Sequence, residues 1–213
     1  RLDNIYVSPD NPYYEAEDGI LYDKGKTTII DFAATHTFEN DTYFIPDTVT
    51  SIGKPIRCQT FRNYAVSTEN ERFSTIDGVL TDKSGTKLVS YPYGRKDKVY
   101  TVPDTIETIG ESAFEGTHVE YVIFPDSLKT IESKAFQNGS LKGFDASPSI
   151  EYVGKYAFNN GKISYIELES MSGNSDPYAF YARVIKLPEG SEFMLGRSDI
   201  IRVYGDETAG EVS

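Results

Sequence analysis

Few side chains in this 213-residue chain can do covalent chemistry: there is one cysteine, Cys58, and there are two histidines, His36 and His118. A single cysteine excludes an internal disulfide framework and a zinc site built from several thiolates. No run approaches the roughly 20 consecutive apolar residues of a membrane span. Positive charge is short as well. Against 33 acidic side chains stand 21 basic ones, a net charge of -12, and with no local basic patch such a surface repels nucleic-acid phosphates. No glycine-rich loop follows a strand and opens a helix, so nucleotide binding has no support. The aspartates that recur, Asp18/Asp77 and Asp23/Asp82, occupy hairpin and turn positions where Asp serves by backbone hydrogen bonding. A calcium loop would need a denser D-x-[DN]-x-[DN]-G pattern. What remains is ordinary for a folded chain, 25% charged and 38% hydrophobic, and the length by itself allows one or two domains.

What the chain has in quantity is repetition. Ala-Phe returns at Ala113/Phe114, Ala135/Phe136, Ala157/Phe158 and Ala179/Phe180, each 22 residues after the last. Val102, Phe124, Ala146 and Leu168 stand twelve residues before each Phe, and Ile109, Ile131 and Val153 stand five before it. The fourth copy has Ser175 at that last position and is decaying. A fixed period of about 20 to 29 residues with one strand-like segment per period is the signature of a leucine-rich-repeat type solenoid, in which no coil buries its apolar face without its neighbours. The Phe rings are expected to stack as an interior ladder.

The first hundred residues repeat on a longer scale. The segment from Ile5 matches the segment from Tyr64 at an offset of 59: Val7 with Val66, Asn11 with Asn70, Asp18-Gly19 with Asp77-Gly78. Each long unit reads as a coil carrying a β-hairpin, the first between Gly19–Tyr22 and Thr28–Phe32 around Asp23-Lys24-Gly25, the second from Gly78 to Tyr91. Registering every coil on an apolar-x-apolar core gives nine strands, at Ile5/Val7, Tyr43/Ile45, Tyr64/Val66, Tyr100/Val102, Val122/Phe124, Phe144/Ala146, Ile166/Leu168, Ile185/Leu187 and Ile201/Val203. Six residues before four of these stand Cys58, Gly116, Asn138 and Asn160, types suited to a small buried corner or to left-handed backbone. Pro46, Pro103 and Pro125 follow strands and stop the ladder.

The frame I-x-V-P-D-[ST]-[VIL]-x-x-I-x-x-x-A-F, with D-G-[IV]-L-x-D-K hairpin units between coils, resembles the BspA-like leucine-rich repeats of bacterial cell-surface proteins. The resemblance covers nearly the whole chain and is strongest from Tyr100 to Phe180. It implies a secreted or surface-anchored protein that binds other proteins, host matrix or plasma proteins among them, and that has no catalytic site. The expected fold is a right-handed α/β-type leucine-rich-repeat solenoid, mostly β with short helical or 3-10 turns, over residues 1–213. Within it, residues 1–99 form the hairpin-containing long repeats, 100–181 the regular repeats, and 182–213 degenerate C-terminal coils and tail. Arg1 runs directly into a coil, which suggests that further coils precede it. A monomer is expected.

Candidate chemistry is thin. His118 reads as a solvated turn residue, His36 lies in the return from the first hairpin, and a Cys58/His36 pair competes with the structural use of Cys58 in the repeat. We expect no catalytic residue, cofactor or metal. The informative surface is the solvent face of the stacked strands, where alternation points every second side chain outward. There Phe44, Val99, Tyr121, Ile123, Tyr165 and Val184 are apolar or aromatic, which suits a protein interface and also matches the ordinary β-sheet preference for such residues. A protein-binding module, a spacer that holds other domains away from a cell wall, and a sugar-binding surface built on exposed tyrosines are the three readings this leaves.

Overall fold

A computed structural model describes residues 3–53, 55–145, 149–159, 163, 165–167, 174–176, 178–180, 184–187 and 201–204. The chain forms two compact units, Arg1–Lys96 and Asp97–Ser213.

In the first unit both long repeats build a three-stranded antiparallel meander. β1 (Tyr14–Glu17), β2 (Ile20–Asp23) and β3 (Thr28–Phe32) form the first. After β4 (Thr42–Ile45), β5 (Ser51–Ile52) and β6 (Asn63–Val66) come β7 (Phe73–Ile76), β8 (Val79–Asp82) and β9 (Lys87–Ser90), which form the second. The loop between β1 and β2 is Asp18-Gly19, with φ of 47° and 70°, and that between β7 and β8 is Asp77-Gly78, with 48° and 71°. Two successive left-handed residues make the type I′ turn that Asp-Gly favours. The strongest hairpin signal in the sequence therefore lies one strand earlier than expected, and β1 and β7 are additions to the hairpins read from sequence. The turns after β2 and β8 use their aspartates as expected: Asp23 accepts from Thr28 N at 2.6 Å and Thr27 Oγ1 at 2.5 Å, and Asp82 from Thr86 N and Lys87 N, both at 2.9 Å. Burial opposes ionisation of both carboxyls, but these donors outweigh it and hold each below the usual carboxylate range.

β5 extends the first meander as a parallel strand beside β3, and β4 pairs in parallel with β6 in a separate sheet, with Tyr43 opposite Tyr64. Ile5–Val7 is not a strand, and Tyr6 is 87% exposed. That expected first strand is corrected: the Asn4 amide donates to the Tyr6 hydroxyl instead. Ala-Phe is missing from this unit, and its place in the core is taken by Phe32, Tyr43, Phe61 and Tyr64, with ring centroids 5.0 Å apart for Phe32–Tyr43 and for Phe61–Tyr64. Cys58 is fully buried among them.

The second unit is a β-solenoid. Its strands are β10 (Val99–Thr101), β11 (Thr108–Ile109), β12 (Tyr121–Ile123), β13 (Thr130–Ile131), β14 (Gly143–Asp145), β15 (Tyr152–Val153), β16 (Tyr165–Glu167), β17 (Asn174–Ser175), β18 (Val184–Leu187) and β19 (Ile201–Tyr204). Each 22-residue coil contributes rungs to parallel stacks. β10–β12–β14 is one, and β11–β13–β15–β17 another. The Ala-Phe turn makes the third, with Phe114 N, Phe136 N and Phe158 N donating to the Ala135, Ala157 and Ala179 carbonyls at 2.7 to 2.8 Å. The ring ladder forms as the spacing requires: Phe114–Phe136, Phe136–Phe158 and Phe158–Phe180 are stacked at 4.8, 5.2 and 5.4 Å.

Among the described residues the only helical segment is a 3-10 turn at Glu39–Asp41, broken by Asn40 at φ 50°. The short helical pieces expected in the coils are turns, because each coil places a left-handed residue directly before Ala-Phe: Ser112, Lys134, Tyr156 and Tyr178, with φ from 56° to 65°. Gly116 and Asn138 take left-handed φ of 72° and 57°, as their residue types implied, and Asn160 lies outside the described residues. In a further parallel sheet, β16–β18–β19, Val184 pairs with Ile201 and Ile185 with Arg202. The expected match of Ile185 with Ile201 is thus off by one residue.

Candidate interaction face

The alternation of β10, β12 and β14 fixes which side chains leave the solenoid. Val122 in the middle of β12 is fully buried, while Tyr121 and Ile123 on either side of it are each 36% exposed. Register then aligns the outward positions in two columns, Val99–Tyr121–Gly143 and Thr101–Ile123. Val99 is 56% exposed. A Cβ on Gly143 would lie 3.0 Å from Tyr121 Cε2, so the glycine lets the tyrosine ring lie across the next strand. The first residue of β14 is thus tied to the aromatic that begins β12.

One edge of this face is an ion ladder. Glu120 sits between Lys98 and Lys142, each 22 residues away; it is bound to Lys142 at 2.6 Å and pairs with Lys98 through its other oxygen. The hydrogen bonds from Lys142 and then Lys98 lower its carboxyl to about 2. Lys129 and Glu107 form a second such rung at 3.1 Å.

The six outward residues expected from sequence divide as follows. Val99, Tyr121 and Ile123 share one sheet of the second unit and are exposed. Phe44, 70% exposed, is on β4 in the first unit. Tyr165 and Val184 are paired in register between β16 and β18, but their side chains lie outside the described residues. Sequence reasoning passed over a second aromatic strip: Tyr152 and Tyr178 are 37% and 44% exposed, and the Tyr156 and Tyr178 rings on successive coils are 5.9 Å apart. The signal was present, since both of the latter immediately precede Ala-Phe.

Nothing resembling a nucleophile and base is assembled from the scarce reactive side chains. The Cys58 thiol meets Thr60 Oγ1 at 3.0 Å and the Ala33 carbonyl at 3.7 Å. The His36 ring packs on Phe38 at 4.8 Å, and its backbone carbonyl accepts from Thr60 Oγ1. His118 is exposed and stands just before β12. Among the described residues no three His, Cys, Asp or Glu side chains converge as a metal-sized group, and no helix is long and apolar enough to cross a membrane.

No curated protein matches the sequence. Among solved structures, the fold is similar to that of a leucine-rich cell surface protein of Faecalibacterium prausnitzii, with a TM-score of 0.66 and 22% identity over 85% of this chain and 52% of that one. It is similar also to a leucine-rich-repeat protein of Eubacterium ventriosum (TM-score 0.62, 18% identity, 82% of this chain and 54% of that one). The pneumococcal vaccine antigen PcpA is a third (TM-score 0.59, 18% identity, 78% and 45%). This chain spans about half the length of each, and at these identities the likeness establishes the fold. Residues 95–189, which contain the Ala-Phe ladder, the two parallel stacks and the exposed columns just described, match the family model described as the BspA type leucine rich repeat region, in 6 copies. Through these repeats the chain is similar to the BspA-type leucine-rich-repeat family.

Proposed function

We propose that this protein is a non-catalytic, cell-surface or secreted binding module for other proteins, which it holds on the outward face of its stacked strands. The observation that carries the reading is the exposure of Val99, Tyr121 and Ile123 side by side on one sheet. Large apolar side chains grouped on a surface mark interaction sites far more often than the same residues scattered singly, and aromatic anchors dominate interface energetics. Surface localisation is supported by the Faecalibacterium neighbour, itself a cell surface protein. Phe44, Tyr165 and Val184 stand at corresponding positions of the sequence repeat. A second reading, sugar binding, is favoured by the Tyr156–Tyr178 pair, because neighbouring tyrosine rings at the surface offer faces to pyranose rings.

The test compares wild type with Tyr121→Ala/Ile123→Ser against immobilised matrix and plasma proteins. The variant should fold with an unchanged melting temperature and lose about 30-fold or more in affinity, which corresponds to the roughly 2 kcal/mol of an interface anchor. Equal capture by both forms rejects the face. If neither form captures a protein but wild type binds glycans and Tyr178→Ala does not, the sugar reading replaces it.

A further inference from the structure

The first unit contains a cleft of about 450 Å³ between the Asp18-Gly19 turn and β4. Part of its wall is aromatic: Phe38, Tyr43 and Phe44 line it, with Phe38 set edge-on to Tyr43 at 5.5 Å between centroids. Three carboxylates line it, Glu17, Asp18 and Glu39, together with His36 and with no lysine or arginine. Glu17 is already paired with Lys26 at 2.5 Å. Asp18 and Glu39 have no ion partner among the described residues.

A second feature points to a guest independently of charge. Tyr22 and Tyr43 also line the cleft, are 2% and 3% exposed, and join their hydroxyls in a single hydrogen bond of 2.9 Å. Two hydroxyls bring two protons and one bond uses one of them. The other proton has no acceptor among the described residues, and burial, which pushes both hydroxyls above the usual phenol range, keeps it in place. A buried donor left in this way is costly until something accepts from it.

The second long repeat shows what the same turn does with a cation of its own. Arg95 stands at the offset of 59 from His36, and both pack on the glycine of the Asp-Gly turn: a Cβ on Gly19 would lie 2.8 Å from the His36 ring, and one on Gly78 2.9 Å from Arg95 Nη2. The Arg95 guanidinium donates to Asn63 Oδ1 at 2.9 Å and to the Asp77 carbonyl, and lies over the Tyr91 ring at 5.6 Å. The first repeat has histidine there and carboxylates around it.

We propose that this cleft receives the side chain of an arginine presented by a protein partner. The planar guanidinium stacks on the Phe38 and Phe44 rings and donates in a fork toward Asp18 and Glu39, while the spare tyrosine proton meets a backbone carbonyl of the same segment. The net charge of -12 draws such a segment in. The assignment rests on the protein-binding reading above, but it uses the first unit, so the two can fail separately.

The experiment is a titration of the labelled full chain, followed by backbone amide spectra, with N-acetyl-arginine amide and with N-acetyl-citrulline amide, which keeps the planar shape and removes the charge. The arginine probe should give saturable shifts confined to residues 17–22 and 36–46, and citrulline should bind about tenfold more weakly or worse. Asp18→Asn/Glu39→Gln should weaken the arginine probe by about tenfold with an unchanged melting temperature, since Asn accepts the left-handed backbone of the turn. Tyr121→Ala should leave it unaffected. Equal binding of citrulline, shifts spread over both units, or no saturation up to about 10 mM overturns the proposal. Because the probe is a single amino-acid amide, a failed protein capture by the strand face leaves this outcome readable.

Discussion

Asn70 shows how much one side chain settles. It is fully buried, its amide nitrogen donates to the Pro46 and Val49 carbonyls at 3.0 Å, and its oxygen accepts from Arg72 N and Phe73 N at 2.9 and 2.8 Å. It therefore holds the start of the second meander to the turn that ends β4. Its counterpart Asn11 accepts from Tyr13 N and Tyr14 N at 2.9 Å and is only partly buried. Asn70→Ala leaves buried donors and acceptors without partners and should cost about 3 kcal/mol, whereas Asn11→Ala, whose freed N–H groups meet water, should cost about 1 kcal/mol or less. Urea denaturation of the two variants measures the contrast, and equal losses would reject the anchoring role. The pairing of these two asparagines was legible from the offset of 59. Their inequality was not, because burial depends on what the chain packs against each of them. The same limit applies to the left-handed residues before Ala-Phe: Ser112, Lys134, Tyr156 and Tyr178 share φ near 60°, yet only the geometry of the coil imposes it, since a tyrosine has no intrinsic preference for that region.

At the scale of elements, the sequence exposes what is repeated with the same residue type and hides what is not. Ala-Phe every 22 residues announced the ladder, and Phe136, 1% exposed between two parallel rings at 3° and 16°, bears it out. Phe136→Ala should cost about 3 to 5 kcal/mol, and a loss below about 1 kcal/mol in chemical denaturation would mean that the neighbouring rings close the gap. β1 and β7 were missed for the opposite reason: Tyr-Glu-Ala-Glu and Phe-Ser-Thr-Ile share no side-chain pattern, and the Asp-Gly turn after each carries the information. The ion ladder was hidden too, because Lys98, Glu120 and Lys142 alternate in sign and so do not register as a repeat. With the folded Glu120 carboxyl at about 2 against an ordinary value of 4.5, the sign is that of a depressed acid. Its contribution is complete above pH 4.5 and is lost as pH falls through about 2. A side-chain carboxyl NMR titration should place the midpoint there at low salt. Lys98→Met/Lys142→Met should return it toward 4.5, and added salt should raise it, because the pair is exposed to screening.

For the molecule as a whole, charge is the property that the sequence states outright and the structure sharpens. A net charge of -12 leaves open a local basic patch, and such a patch is what a polyanion needs. The placement of the lysines argues against one. Lys98 and Lys142 are spent on Glu120, Lys129 on Glu107, Lys26 on Glu17, and Arg62 lies 3.6 Å from Asp41. Binding to nucleic acid or heparin releases counterions in proportion to the phosphates or sulfates neutralised, and cations already held by carboxylates in the next coil have little left to neutralise. The exposed apolar side chains of Val99, Tyr121 and Ile123, by contrast, gain nothing from low salt and lose nothing to high salt. The expected outcome is that the protein passes through heparin and phosphocellulose columns at about 50 mM salt, a concentration at which polyanion binders are held tightly, and is retained by a cationic resin. Retention on heparin that Lys98→Met/Lys142→Met abolishes would show that the ladder lysines are available after all, and would move the search for partners from basic proteins to polyanions.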